Sequence, residues 1–312
     1  MHRGLNESDN LPRPGLPGRG VRHNQWVAET LNAPHKAPAQ TYSERPAAAQ
    51  LRRLLSCAWV QRVAPDADPY EHHTVPNAAV ELSWEPGSLP RVVGPQSGPL
   101  AQVNPPGSTV VGVRFRPGAA PSVLGVPASE LVDLFVDAEE LWGEAGVRLA
   151  EQLARCDTAE VAASMLERTV LARARAGAGP DPLVMEAVSR LLPGGATEVA
   201  SLSSSLFISE RQLRRRSLAA VGFAPKAIHR MLRFQRFLAL AHARGLAEAD
   251  VAELAADTGY ADQPHLTRES LRLSGRAPRA LLDQADKNCR GLHDHSPSYV
   301  PLLRSRELPQ AA

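Results

Sequence analysis

Three things are scarce in this chain of 312 residues, and each closes off a class of explanation. Cysteine occurs three times, at Cys57, Cys156 and Cys289, with no CxxC pair and no Cys/His cluster. Neither a disulfide framework nor a zinc site follows, and a reducing cytoplasm is the expected home. Apolar runs never approach the roughly 18 residues of a membrane span, and the N-terminus, MHRGLNESDNLPRPGLPGRG, lacks the apolar core of a signal peptide. No membrane partner is expected. Aromatic residues make up only 4%, so Ala, Leu and Val must supply most of the core. Net charge is scarce too: at +2 overall, it identifies no partner.

Charge is unevenly spread, however. Between Leu206 and Arg244 the cations Arg211, Arg214, Arg215, Arg216, Lys226, Arg230, Arg233, Arg236 and Arg244 face one acid, Glu210. A local surplus of eight positive charges is the footprint of a surface that meets phosphates, although a solvated helix face would look alike.

The same stretch is one half of a repeat. Shifting Leu213–Pro225 forward by 53 positions superposes Leu213, Arg215, Ser217 and Leu218 on Leu266, Arg268, Ser270 and Leu271. Gly222, Ala224 and Pro225 then fall on Gly275, Ala277 and Pro278. Upstream, Val199 and Leu202 meet Val251 and Leu254 at an offset of 52.

Each copy reads as a helix-turn-helix unit. In the first, a scaffold helix from Glu198 to Leu206 leads through Phe207-Ile208 to Ser209, a good N-cap for a helix over 210–221 that Gly222 closes. In the second, Asp250 caps Val251–Asp257, Gly259-Tyr260 makes the turn, and Asp262–Leu273 is the recognition helix, with Pro264 tolerated in its first turn. Leu213 with Leu218, and Leu266 with Leu271, are expected to anchor these helices. Arg211, Gln212, Arg214 and Arg215, and then Gln263, His265, Thr267 and Arg268, are left to face double-stranded DNA. Arg suits guanine and Gln suits adenine in the major groove. Lys226 is assigned to a phosphate. Between the units, the helix Pro225–Arg244 spans about 30 Å, close to the roughly 34 Å between successive major-groove faces.

Leu-Ala-Ala-Asp-Thr-Gly-Tyr-Ala-Asp-Gln-Pro-His-Leu-Thr-Arg-Glu (254–269), with Gly275-Arg-Ala-Pro278, resembles the signature of AraC/XylS-type transcription regulators. Ile208–Arg215 with Gly222-Phe-Ala-Pro225 resembles that family's first unit. The resemblance covers about residues 181–282. It implies a DNA-binding domain of two helix-turn-helix units joined by a linker helix, preceded by an effector or dimerisation domain. A small-molecule effector, a homodimer and RNA polymerase are the further partners it suggests; no cofactor is implied. Where the family has Phe, this chain has Ser217 and Ser270, which predicts a less stable domain whose melting temperature Ser217→Phe and Ser270→Phe should raise.

The preceding half reads differently. Cys57–Val63, Ala79–Trp84, Arg91–Gly94 and Thr109–Phe115 are short β-prone runs broken by Pro and Gly, arguing a small antiparallel sheet or barrel. After Pro121 the period becomes helical, through Leu131, Leu134 and Phe135, then Leu141 to Leu153, and again from the Thr158 N-cap to about Arg173. The fold class is therefore α+β. Its expected parts are a disordered lead-in (1–48), a β-rich sensor or dimerisation-type domain with helices (49–173), a hinge (174–180), the DNA-binding domain (181–285) and a disordered tail (286–312). Val92-Val-Gly-Pro95, Val111–Gly118 and Leu124–Ala128 resemble a poorly characterised domain often found before AraC-type units.

No catalytic or metal constellation emerges. His72 and His73 are adjacent on an extended run and point opposite ways, which suits no shared ion. Trp59 and Trp84 read as core, with a ligand wall as the alternative. Two other functions stay open: a DNA-targeted enzyme or repair protein with a reactive group near Cys57 or Cys156, and a module whose basic helices meet an acidic protein.

Overall fold

Strand β2 (Leu55–Val63) is buried along nearly its whole length, as befits a strand with neighbours on both edges. In the computed structural model, which describes residues 40–192, 199–289 and 293–303, β2 lies between β1 (Gln40–Pro46) and β7 (Thr109–Phe115). Next to β7 come β4 (Glu81–Trp84), β5 (Arg91–Val93) and β8 (Phe135–Asp137). All these pairs are antiparallel. Strands β3 (Tyr70–Thr74) and β6 (Leu100–Asn104) form a separate antiparallel ribbon. Gly112 on β7 is required by packing: a Cβ there would stand 2.4 Å from the Trp59 ring.

One face of the sheet is closed by helices. Leu82, Val92, Val111, Val113 and Phe115 pack against Leu149 and Leu153 of α3 (Glu144–Ala154) and Leu166 and Val170 of α4 (Ala159–Ala176). Ala162 and Ala163 let α4 approach closely, so alanine does the work that scarce aromatics do elsewhere. Two short helices, α1 (Pro121–Leu124) and α2 (Ala138–Trp142), complete this layer.

The remaining helices form the second body. They are α5 (Pro182–Leu191), α6 (Leu202–Ser205), α7 (Glu210–Val221), α8 (Pro225–Arg244), α9 (Val251–Asp257), α10 (Gln263–Ser274) and α11 (Pro278–Cys289). Their caps follow the sequence: Ser209 and Asp262 cap α7 and α10, and Gly222 and Gly275 end them at φ 88° and 71°. The first scaffold helix is a 3₁₀ turn, Val199–Ser201, running into α6; Glu198 lies outside the described residues. The fold is thus α+β, a β domain with helices followed by an all-helical region.

Four expectations are corrected. Phe135 sits in β8 and not in a helix, because Val92 and Val93 offer it a strand edge. Of the lead-in, residues 1–39 lie outside the described residues, and Gln40–Pro46 is β1, which alternates buried and exposed residues and pairs with β2. Of the supposed hinge, 174–176 are the last turn of α4. The tail beyond 285 is also structured where described. There α11 runs to Cys289, β9 (His293–Asp294) pairs parallel with Tyr42–Ser43 of β1, and α12 (Ser296–Tyr299) leads to a 3₁₀ turn, Val300–Leu302. This strap returns from the helical region to the sheet.

Candidate nucleic-acid interface

A helix 12 residues long buries a stripe about a third of its circumference. In α7 that stripe is Leu213, Ser217, Ala220 and Val221, and in α10 it is Leu266, Ser270 and Leu273. Position 218 lies five residues from 213, about 140° round the helix. Leu218 is accordingly only half-buried and Leu271 is 50% exposed. The anchors are therefore Leu213 and Leu266 with their serines, and not the Leu pairs expected.

Serine at 270 has a specific task. Its hydroxyl, fully buried, donates to the Arg276 carbonyl at 2.7 Å and so ties the turn after α10. Phe234 and Phe237 of α8, tilted against each other at 5.4 Å, fill the adjoining core, whereas Phe207 stands 96% exposed.

The exposed halves of the two recognition helices carry the proposed readers. Arg211, Gln212, Arg214 and Arg215 are all exposed on α7, and Lys226 is exposed at the start of α8. None of these four cations has an ion pair among the described residues. Gln212 is partly committed: its Oε1 accepts from the Ser209 N–H at 3.1 Å in a capping box. On α10, Gln263 and Arg268 are exposed, while His265 and Thr267 are half-buried. Thr267 donates its hydroxyl to the Gln263 carbonyl at 3.0 Å, and the His265 ring stands edge-on to Tyr260 at 5.2 Å.

The other cations of the basic stretch do something else. Arg230 faces Glu269 at 3.4 Å, and Arg233 covers the Tyr260 ring at 4.2 Å while donating to the Gly259 carbonyl. Arg236, 3% exposed, donates to the carbonyls of Leu302 and Asp257, and Arg244 pairs with Asp257. Arg216 binds Asp181, whose carboxyl also accepts from the first N–H groups of α5 and is held below the usual carboxylate range. Five of the nine cations are thus structural. Charge counting could not separate them, but spacing carried a hint: 230, 233 and 236 recur every three residues on one helix face.

The sheet domain touches both units. A Cβ on Gly222 would meet Val132 at 2.8 Å and Pro95 at 3.0 Å, and one on Gly275 would stand 3.9 Å from Pro99. Four residues reach at most about 14 Å, so a single loop braces the C-terminal ends of both recognition helices. Loop 75–76 docks on α8, where Gln235 Nε2 donates to the Val75 and Pro76 carbonyls at 3.3 and 3.1 Å. The strap closes the contact: Ser298 N–H donates to Glu44, and the Ser298 hydroxyl accepts from Arg114 at 2.7 Å.

Elsewhere, the Trp84 indole N–H donates to the Ser88 carbonyl in the turn after β4, and Trp59 Nε1 lies buried with no hydrogen-bond partner among the described residues. His72 faces Gln61, and His73 faces Glu71 at 3.2 Å; among the described residues no group of three metal-ligating side chains converges. Cys57 is fully buried, which pushes its thiol up to about 12. Among the described residues no helix is long and apolar enough to cross a membrane.

Residues 202–284 match the family model described as a helix-turn-helix domain, and residues 43–137 match a domain of unknown function, DUF6597. No curated protein matches the chain. Among solved structures it is similar to ToxT from Vibrio cholerae, at 10% identity and a TM-score of 0.37, over 80% of this chain and 98% of that one. It is likewise similar to ToxT from Vibrio cholerae O395 bound to (E)-4-(8-methylnaphthalen-1-yl)but-3-enoic acid, at 12% identity and a TM-score of 0.39, over 80% and 99%. The chain carries an AraC-type helix-turn-helix domain, a domain of DNA-binding transcription regulation, behind a DUF6597 domain.

Proposed function

We propose that the protein is a sequence-specific transcription regulator whose two helix-turn-helix units read successive major-groove faces of one duplex. The observation that carries this is the pair of recognition helices with exposed N-terminal halves, the first bearing three arginines without counter-charges. Arg211, Arg214, Arg215 and Arg268 reach base edges in this reading, joined by Gln263 and by the Nε2 of Gln212. Lys226 neutralises a phosphate, while His265, set against Tyr260 of the preceding turn, and Thr267, bonded to its own helix, contribute shape more than hydrogen bonds. A bidentate adenine contact from Gln212 would require its capping bond to open.

The DUF6597 domain acts as the control element, since its loops brace both recognition helices and the linker. A small-molecule effector, a second copy of the chain and RNA polymerase are the partners such a regulator uses. The rival reading, a DNA-targeted repair enzyme, is disfavoured by Cys57: a fully buried thiol held protonated at neutral pH is a poor nucleophile.

Selection of duplexes from a random pool by the purified full chain tests the proposal. A two-part motif with half-sites about one helical turn apart is the expected result. Retention without any enriched motif would overturn sequence-specific reading.

A further inference from the structure

A cavity of about 340 Å³ lies between the sheet domain, the helical region and the strap, within the size range of small-molecule sites. Its two ends differ in chemistry. Met185, Val188, Leu192 and Leu281 make one wall apolar. The other end is built of rings: Tyr42 stacks on His295 at 4.8 Å, and His295 in turn meets His242 at 5.3 Å, His293 at 5.6 Å and Tyr299 at 5.2 Å.

This polar end offers hydrogen bonds and no spare charge. Arg114 is engaged through all three of its nitrogens, donating to Glu81 at 2.6 Å, Glu44 and Ser298 at 2.7 Å and Tyr42 Oη at 3.1 Å, and its charge is met by the two carboxylates. Burial pushes His72, His242 and His293 down to about 4, so their imidazoles are neutral at physiological pH. Arg116 reaches the wall, but its guanidinium donates to the Arg52 carbonyl on the exposed side. An ion buried among these rings, away from Arg116, would lose hydration without meeting a counter-charge.

The cavity is also placed to report its contents. Leu232, Gln235, Leu238 and His242, spaced three, three and four residues apart, present one stripe of α8 to it. That helix carries the first unit at its start and holds the second through Arg230, Arg233 and Arg236. His293, His295, Ser298 and Tyr299 bring the strap into the same wall.

We propose that this cavity is the effector site, taking an uncharged molecule with an apolar body and one hydrogen-bonding end, and that occupancy alters DNA reading through α8 and the strap. The proposal rests on the reading of the chain as a DNA-binding regulator. Three probes sharing one skeleton isolate charge: 4-propylbenzamide, 4-propylbenzoate and protonated 4-propylbenzylamine, each titrated calorimetrically into the full chain at pH 7.5. The amide is expected to bind at least tenfold tighter than either ion, and its binding is expected to vanish in Ala285→Phe, which fills the cavity from α11, or in Leu192→Phe should the first variant fail to fold. On a DNA site recovered by selection, the amide should shift wild-type affinity several-fold and leave the filled variant unmoved.

Equal or tighter binding of an ion, no binding of any probe, or binding that survives cavity filling would overturn the site. Amide binding without a change in DNA affinity would overturn the coupling. Failure of the chain to select any DNA would fall on the regulator reading instead, because the calorimetry does not depend on it.

Discussion

The two helix-turn-helix units descend from one sequence pattern yet are held by different means. The second is clasped from below: Arg230, Arg233, Arg236 and Arg244 of α8 reach Glu269, Tyr260 and the end of α9. The first is fastened from other elements: Arg190 of α5 donates to the Ser205 carbonyl at 3.0 Å, Arg216 binds Asp181, and Gly222 lies against the sheet domain. Its turn also differs. Phe207 occupies the left-handed region at φ 55° with its ring in solvent, where the second unit has Gly259 at φ 77°. Arginines that look alike in sequence therefore divide into open cations on the first unit and internal fastenings of the second. What the division teaches is that α8 holds the second unit through buried and ion-paired arginines, whereas it holds the first through apolar packing of Leu213, Ala220 and Val221.

The sharpest way to break this comparison is to remove a fastening. Arg236→Ala deletes a buried guanidinium and orphans two carbonyls, so unfolding in urea should show a loss of about 3 kcal/mol or more, against less than about 0.5 kcal/mol for Arg215→Ala. Similar losses would mean that the two arginines are not differently employed.

DNA affinity should show the reverse order. Arg211→Ala is expected to cost about 1–3 kcal/mol on a selected site and far less on random duplex. Lys226→Ala should weaken both alike and flatten the salt dependence by about one ion. Equal weakening of both duplexes by Arg211→Ala would reassign it to phosphate contact.

Serine to phenylalanine tests the buried stripes. Ser270→Phe loses the bond to Arg276 and overfills a closed site, so its melting temperature should fall, by the equivalent of about 1–3 kcal/mol. This reverses the gain that the family resemblance suggested for position 270. A rise would show that the core round α10 has a ring-sized vacancy.

The smallest effect concerns the first turn. Phe207→Gly relieves a left-handed side chain costing about 1–2 kcal/mol but gives up some chain entropy, leaving a net gain of about 0.5–1 kcal/mol in chemical denaturation. The same change in reverse, Gly259→Phe, should destabilise the second unit. Matching signs for the two would remove the conformational argument.

These differences mark what was legible in the sequence. Caps, turns and both recognition helices were readable because Ser209, Asp262, Gly222 and Gly275 act locally, within one turn of the chain. The helix phase was misjudged at Leu218 and Leu271, since apolar identity alone does not reveal angle. Strand β1, strand β9 and the pairing of Phe135 depend on partners far along the chain, and short polar strands have no pattern of their own. The readers of DNA were legible as residue types, but the commitments of Gln212 and Thr267 to their own backbone appear only in three dimensions.

The pairing of β9 with β1 has a kinetic consequence. Tyr42 and His293 stand some 250 residues apart, and among the described residues two residue pairs join the strands. Contacts of such sequence separation close slowly, and a two-pair ladder at a sheet edge opens at low cost relative to global unfolding. Local opening there would release Ser298 from Glu44 and Arg114 while both cores stayed folded. Amide exchange at Asp294 and Ser298 should thus outpace that of β2 by orders of magnitude, making the strap a reversible fastener between two bodies that are otherwise each complete.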